Sequence, residues 1–325
     1  MRLFNGKKFA DKILGEIKEN IEKEGLKAKL AVFLIGEDEA SKIYIRLKKE
    51  ATIKVGIEFE LYKYDREAIE QEISEKIIAL NKDKNISGII AQLPLPERLN
   101  RDKILSAISP LKDVDGFHQE NRRLFEIGEP RFKPILPSAI LLAIKEAYRV
   151  SVPVFSSVIS AQAGIQNKKM LIQERILDPR FPSVVKIFGR AQRGDDKLRG
   201  KKAVALVNSD IFGQMLKLVL EKEGINFQYK LKKTCLISGT DDDLKKADII
   251  ITACGCPGLV RGEMIKPGAI LIDAGIFRAK DGKVVGDIDR KSVENIASFL
   301  TPVPGGIGPL VIALLLQNVC LAAKK

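Results

Sequence analysis

The sequence predicts an α/β fold of two domains, each built on a parallel, helix-covered sheet. Three observations predict it. Short apolar runs alternate with amphipathic helical periods over residues 9–92 and again over residues 203–273, the pattern of strands joined by crossover helices. At 325 residues the chain is long enough for two cores. Between the alternating stretches, residues 151–194 mix Pro153, Gly164, Pro179 and Pro182 with basic residues and hold no period. We read residues 149–194 as an insertion or long loop separating the domains.

In the first stretch, Phe9, Ile13, Ile17 and Ile21 share one helical face. Leu30 to Ile35 reads as a buried strand. A helix follows, with Glu39 or Ser41 as its cap and Gly56 as its end. A strand near Glu58 to Tyr62, an amphipathic helix from Arg66 to Leu80 and a strand from Ile86 to Gln92 complete the series, which the prolines of Gln92-Leu-Pro-Leu-Pro96 stop. Ile108 to His118 is rich in turn formers, and an apolar helix runs near Ser138 to Tyr148.

The second stretch reads as strand Ala203–Val207, helix Ile211–Glu223, strand Phe227–Leu231, short helix Asp241–Ala247, strand Asp248–Ala253, a turn at Gly255 and Gly258, and strand Ala269–Asp273. This is a doubly wound, nucleotide-binding layout. The chain closes with Thr301-Pro-Val-Pro-Gly-Gly-Ile-Gly-Pro309 and an apolar helix, Leu310–Ala323. The expected domains are 1–148, completed by helix 309–325, and 195–308.

Composition excludes several classes. The net charge of +13 comes from Lys and Arg interspersed with Asp and Glu, without a basic run or many aromatics, so no nucleic-acid partner is expected. Attraction of small polyanions, phosphorylated cofactors among them, fits that charge, as does a plain lysine-rich surface. His118 is the one histidine, and Cys254 and Cys256 are not at zinc-knuckle spacing. Neither a metal site nor a Ser-His-Asp triad is expected. The start has no apolar signal core, and the run Leu310–Leu316 is too short to cross a bilayer. A reduced, cytoplasmic protein with no membrane partner is the expectation.

Candidate chemistry begins at Tyr44 and Lys48, four residues apart on one helical face. A phenol above an amine suits a flat ligand: the ring stacks, and a partly desolvated amine trades protons near neutrality. The same spacing is commonplace in helices without function. Asp113 and Asp115 lack a third metal ligand; one facing a ligand's amino group while the other caps structure is one reading, a plain surface loop the other. Gly305, Gly306 and Gly308, caged by prolines, let a ligand approach bare backbone or simply make a tight turn. The first turn of the second sheet, Val207-Asn-Ser-Asp-Ile-Phe-Gly213, has one glycine, with Ser209 able to bond a phosphate at a helix N-terminus. Lys230, Lys232 and Lys233 stand where binders of the unphosphorylated cofactor carry an acid. They favour a 2'-phosphate and hence NADP, or form a solvated cluster.

These segments resemble the bifunctional methylenetetrahydrofolate dehydrogenase/cyclohydrolase family, the FolD type. Ala40-Ser41, Tyr44 and Lys48; Gly88 to Pro96; Lys112-Asp-Val-Asp-Gly-Phe117; Ala247 to Ile251; Gly286-Asp-Ile-Asp289; and Thr301 to Pro309 match in order and spacing. The resemblance implies NADP-dependent oxidation of 5,10-methylenetetrahydrofolate, with NAD as the other candidate cofactor. It also implies hydrolysis of the product to 10-formyltetrahydrofolate, within one-carbon metabolism serving purine and amino-acid biosynthesis. A homodimer is implied as well.

By the same resemblance Lys48 is the acid/base, Tyr44 stacks on the folate, Gln92 sets the protonation of Lys48, and Asp115 grips the pterin edge. Ser41, Pro94, Gly305 and Gly306 line the substrate cleft between the domains. Asn208, Ser209, Gly213, Lys230, Lys233, Gly255 and Ile276 line the cofactor. The chain departs from the family where Gly-Arg-Ser is usual and Val207-Asn208-Ser209 stands, and at Met215, Ile135-Leu136, Arg123 and Leu310-Val311. The departures cluster on the nicotinamide side. The alternative expectation is therefore a folate-binding paralogue without the dehydrogenase step, retaining cyclohydrolase activity or none.

Overall fold

The computed structural model describes residues 1–149, 196–232, 242–279 and 281–324. The long loop expected over 149–194 therefore falls, after Arg149, outside the described residues, as do Lys233 and Cys235.

The first unit is a three-stranded parallel sheet in the order β3-β2-β4, with β2 at Lys29–Ile35, β3 at Glu58–Tyr64 and β4 at Gly88–Ala91. Strand β2 is the middle strand and is apolar on both sides. Leu30, Val32 and Leu34 face one core, and Ala31, Phe33 and Ile35 face the other, as the two-residue period of a strand requires. Helices α1 (Gly6–Glu24), α2 (Glu39–Val55) and α3 (Glu70–Lys82) connect and cover the strands.

Asn5 caps α1 by accepting from Lys8 N at 3.0 Å, and Gly25 ends it in the left-handed region. The cap of α2 is Asp38, which accepts from Ser41 N at 2.7 Å, and not Glu39 or Ser41. Helix α3 starts at Glu70, later than Arg66, because residues 65–68 form a turn. Two short helices, α4 (Arg101–Ala107) and α5 (Gln119–Glu126), were not legible in the sequence. The lone histidine, His118, caps α5 by accepting from Glu120 N through Nδ1 at 3.1 Å. Helix α6 covers Ile135–Ala147, three residues earlier than the periodicity suggests.

The second unit is a six-stranded, wholly parallel sheet in the order β1-β11-β8-β7-β5-β6. Its strands are β1 (Arg2–Leu3), β5 (Lys202–Val207), β6 (Asn226–Leu231), β7 (Ile249–Ala253), β8 (Ile270–Asp273) and β11 (Phe299–Leu300). The start of the chain thus supplies the outer strand of the second sheet. Strands β9 (Phe277–Arg278) and β10 (Val284–Val285) form a separate antiparallel hairpin. Helix α7 (Asp210–Glu221) follows β5, and α8 (Asp242–Lys246) and α9 (Arg290–Val293) are short. Among the described residues the chain is an α/β protein of two parallel sheets, the second Rossmann-like.

The last helix, α10 (Ile307–Ala323), is apolar nearly all round and packs on α1, α2 and α6. One continuous core runs through it from Leu30 and Val32 of the first sheet to Ala205 and Val207 of the second. No helix among the described residues is long and apolar enough to cross a membrane.

Helices α1 and α10 start almost in contact. A side chain on Gly6 would collide with the Gly306 carbonyl oxygen. Gly6→Ala is therefore expected to destabilise the fold by about 1–3 kcal/mol, the usual cost of forcing an extra methyl into a packed contact. Thermal unfolding reads that loss directly.

Candidate active site

Helix α2 presents Tyr44 and Lys48 one turn apart, and the loop after β4 brings Gln92 to meet them. Lys48 is 7% exposed, and its Nζ donates to Gln92 Oε1 at 2.8 Å. The amide of Gln92 is fixed from its other end, because Nε2 donates to the Leu93 carbonyl at 2.8 Å. Ser41 Oγ donates to that same carbonyl at 3.4 Å. The start of α2 and the Leu93–Pro94 segment are thereby held together. Gln92 itself is anchored by its N–H to the Phe33 carbonyl of β2 at 2.9 Å.

The two acids of the 112–117 loop have separate tasks. Asp113, 2% exposed, accepts from the N–H groups of Gly116, Phe117 and His118 at 3.1, 3.2 and 2.8 Å, and from Asn121 Nδ2 at 2.9 Å. It builds the loop. Gly116 takes φ +81°, where a side chain would be strained. Lys112 Nζ donates to the carbonyls of Leu80 and Asp83 at 2.8 and 2.6 Å, pinning the loop to the end of α3. Asn318 of α10 donates to the Val114 carbonyl at 2.8 Å and to the Lys133 carbonyl at 3.1 Å.

Asp115 is then left facing Lys48. Burial pushes the Asp115 carboxyl up to about 6; the Lys48 charge opposes this shift and Asp113 adds to it. Burial also holds the Lys48 amine below its ordinary value, with the Asp115 charge opposing. Tyr44 is pushed up to about 12 by burial, so it stays a neutral phenol. A side chain on Gly308 would stand 3.3 Å from the Tyr44 hydroxyl, which places the start of α10 against the ring. The preceding Gly305 has φ +100°, and Gly306 packs on the Pro302 carbonyl with no room for a Cβ.

Ser41, Tyr44, Lys48, Gln92 and Asp115 are thus gathered from α2, the β4 end and one loop, with Pro94 and the Gly305–Gly306 turn beside them. The set can hold a planar, hydrogen-bonding ring and move one proton at an amine.

The cofactor candidates lie at the carboxyl end of the second sheet. Strand β6 lies on one side of β5 and β7 on the other, so the chain switches direction between β5 and β7. Such a switch point opens a crevice beyond the strand ends. Asn208 is exposed there, and Ser209 is the N-cap residue of α7, its side chain making no capping bond. Gly213 lies directly under the Tyr229 ring, where any side chain would collide, so α7 approaches β6 closely. Gly255 follows β7 with φ +66°, and a Cβ there would be 3.2 Å from the Ile276 carbonyl oxygen, so these two candidates adjoin. Lys230 pairs with Asp243 at 2.8 Å. Asp210 accepts from Tyr229 OH at 2.7 Å and from Gln214 Nε2 at 2.6 Å. A helix N-terminus, neutral side-chain donors and bare backbone at a switch point fit a dinucleotide.

Comparison with known proteins decides the family. Residues 4–115 match the model of the tetrahydrofolate dehydrogenase/cyclohydrolase catalytic domain, and residues 183–325 match that of the NAD(P)-binding domain of the same enzymes. The chain is 34% identical to the bifunctional protein FolD of Acetivibrio thermocellus, over 99% of this chain and 97% of that one. This chain belongs to the tetrahydrofolate dehydrogenase/cyclohydrolase family.

Among solved structures of the family, the FolD enzyme of Campylobacter jejuni covers the whole chain and 99% of its own at a TM-score of 0.78 and 32% identity. The Trypanosoma brucei FolD structure, described as complexed with NADP and an inhibitor, aligns over 99% of this chain and 97% of its own, at a TM-score of 0.76 and 25% identity. The sequence did not single out Asp273, Asp287, Thr252 or Thr301, which cluster beneath the Gly255 loop. Asp287 and Thr301 stood only within the Gly286-Asp-Ile-Asp289 and Thr301–Pro309 matches and Asp273 only as a strand end, with no role attached.

Proposed function

We propose that this FolD-family chain oxidises 5,10-methylenetetrahydrofolate to the 5,10-methenyl cation with NADP and hydrolyses the cation to 10-formyltetrahydrofolate. The observation that carries the reading is the buried Lys48 amine, bonded to Gln92 and facing Asp115, one helical turn from Tyr44.

Each residue has a task that its surroundings support. Tyr44 supplies a neutral ring for the folate to stack on. Asp115 accepts from the amino-pyrimidine edge and orients the one-carbon unit. In the hydrolysis, Lys48 as free amine takes a proton from the water adding to the methenyl carbon. The resulting ammonium returns a proton to N5 as the N5–carbon bond breaks, and the water's second proton leaves to solvent. Gln92 accepts from the Lys48 nitrogen in both protonation states and keeps it in place. NADP, when bound, supplies the hydride acceptor. Asn208, Ser209, Gly255 and Ile276 would hold it, with Gly213 letting α7 pack close to β6 beside them. The setting is cytoplasmic one-carbon metabolism, feeding purine and amino-acid biosynthesis, and the working form is a homodimer.

A spectrophotometric assay with methylenetetrahydrofolate tests the reading. NADPH is expected to appear with NADP, and 10-formyltetrahydrofolate to follow it. Hydrolysis of preformed methenyl substrate without any NADPH formation would remove the dehydrogenase half; neither reaction would remove both. Light scattering behind size exclusion reads the dimer.

The pH dependence follows from the site. Asp115 titrates at about 6 and grips substrate as the carboxylate. Below that pH it protonates and loses an acceptor, so hydrolytic kcat/KM is expected to rise through a first limb at about 6, with a further rise as Lys48 becomes the free amine. Asp115→Asn is expected to remove that limb.

A further inference from the structure

Two aspartates at the carboxyl end of the second sheet have no part in the chemistry above. Asp273 ends β8 and Asp287 follows the β9–β10 hairpin; they are 3% and 0% exposed. Asp287 accepts from the N–H of Cys254 through Oδ2 at 2.7 Å and from that of Cys256 through Oδ1 at 2.5 Å. Asp273 accepts through Oδ1 from the N–H groups of Gly275 and Asp287 at 3.0 and 3.1 Å, and through Oδ2 from that of Ile288 at 3.0 Å. The Thr252 hydroxyl donates to Asp273 Oδ1 at 3.2 Å. Each carboxylate also fills the space over a glycine. A side chain on Gly275 would collide with Asp287, and one on Gly286 with Asp273.

Two adjacent buried carboxylates are costly, through lost hydration and mutual repulsion. What they gather here is the loop after β7 (254–256) and the loop after β8 (274–276). The first borders the crevice at the β5/β7 switch point. Drawing the N–H groups on either side of Gly255 inward sets the left-handed conformation of that residue and seats it against the Ile276 carbonyl. Lys232 Nζ, from the end of β6, holds the same loop from the other side by donating to the Cys254 carbonyl at 3.2 Å. Only a carboxylate accepts on both oxygens at once; an amide of the same shape would turn an NH2 toward one of the two N–H groups.

We propose that Asp273 and Asp287 are positioning residues for the nucleotide cofactor, shaping the 254–256 and 274–276 loops so that they control the dehydrogenase step and not the hydrolysis. The proposal rests on the cofactor reading above. The hydrolytic set is held by α2, the β4 end and the 112–117 loop, none of which the two carboxylates touch; only the main chain of Asp273 reaches toward the Gly305–Gly306 turn, exchanging hydrogen bonds with the Thr301 hydroxyl at 2.7 and 3.1 Å.

Full-length Asp287→Asn and Thr252→Val test it, with NADP binding followed by calorimetry and both reactions assayed on each preparation. In Asp287→Asn, NADP affinity and dehydrogenase kcat/KM are expected to fall about 30-fold, the effect of opposing two donors inside the fold. In Thr252→Val the loss is expected to be about 3- to 10-fold, as one hydroxyl is removed. Hydrolysis of preformed methenyl substrate is expected to stay within about twofold in both. Unchanged NADP binding in a folded Asp287→Asn would overturn the proposal. If that variant does not fold, Thr252→Val decides, and equal loss of both activities there would overturn it too. A wild type that binds NADP without reducing it would contradict the proposed oxidation alone; the calorimetric comparison would still decide the role of the pair.

Discussion

Replacing Lys48 by methionine is expected to lower hydrolysis of the methenyl substrate by about 10³-fold, within the range a positioned acid/base supplies. The stem of the side chain remains and keeps its packing on α2, while the nitrogen is lost. Gln92 Oε1 then faces no donor from Lys48, which costs about 1–3 kcal/mol of stability. That cost is offset in part because a charge no longer has to be held in a site that is 7% exposed. Dehydrogenase turnover, which needs positioning more than proton transfer, is expected to fall far less. Assaying both reactions on one preparation separates the outcomes. Parallel loss of both would assign Lys48 to substrate binding, and unchanged hydrolysis would remove its role altogether.

Asp115→Ala is expected to weaken both reactions together, through binding. An acceptor pair lost to a bound amino-pyrimidine edge is worth about 2–3 kcal/mol, so the folate KM should rise about 30- to 100-fold. A second effect carries an opposite sign to intuition. The Asp115 charge opposes the burial that depresses Lys48. Removing it lets the Lys48 amine fall further below its ordinary value, so a larger share is the free base at neutral pH. At saturating folate, the pH midpoint assigned to Lys48 should move to lower pH. A midpoint that moves up would contradict the geometry.

Much of this arrangement was legible in the sequence, and the parts that were not share a physical cause. The strands β2 and β5 announce themselves because both of their faces are buried, and Gly25 and Gly56 mark helix ends because only glycine takes a left-handed backbone cheaply. The cap at Asp38 was hidden among neighbouring acids. Which one caps depends on where the chain leaves β2, not on residue type. Helices α4 and α5 are shorter than a readable period, and non-local bonds hold them, such as Glu70 accepting from Asn100 N at 2.8 Å. Strands β1 and β11 are two residues each, and β1 exists through pairing with β11 nearly 300 positions away.

The site divides the same way. Tyr44 and Lys48 share a helical face, so their spacing is visible locally. Gln92 meets Lys48 across 44 positions, and only the family resemblance pointed to it. Between the two loop acids the sequence left a choice. In the structure Asp113 spends both oxygens on its own loop, while the Asp115 carboxylate interacts with the Lys48 charge. Asp273 and Asp287 were invisible as a pair because a buried acid looks like a surface acid until its donors are seen.

Titration of the Lys48 ammonium by heteronuclear NMR, on protein labelled at lysine, tests the central claim most directly. A midpoint below the ordinary lysine value of about 10.4, moving lower still in Asp115→Asn, is the predicted result. A Lys48 resonance that titrates like the surface lysines, indifferent to Asp115, would contradict it.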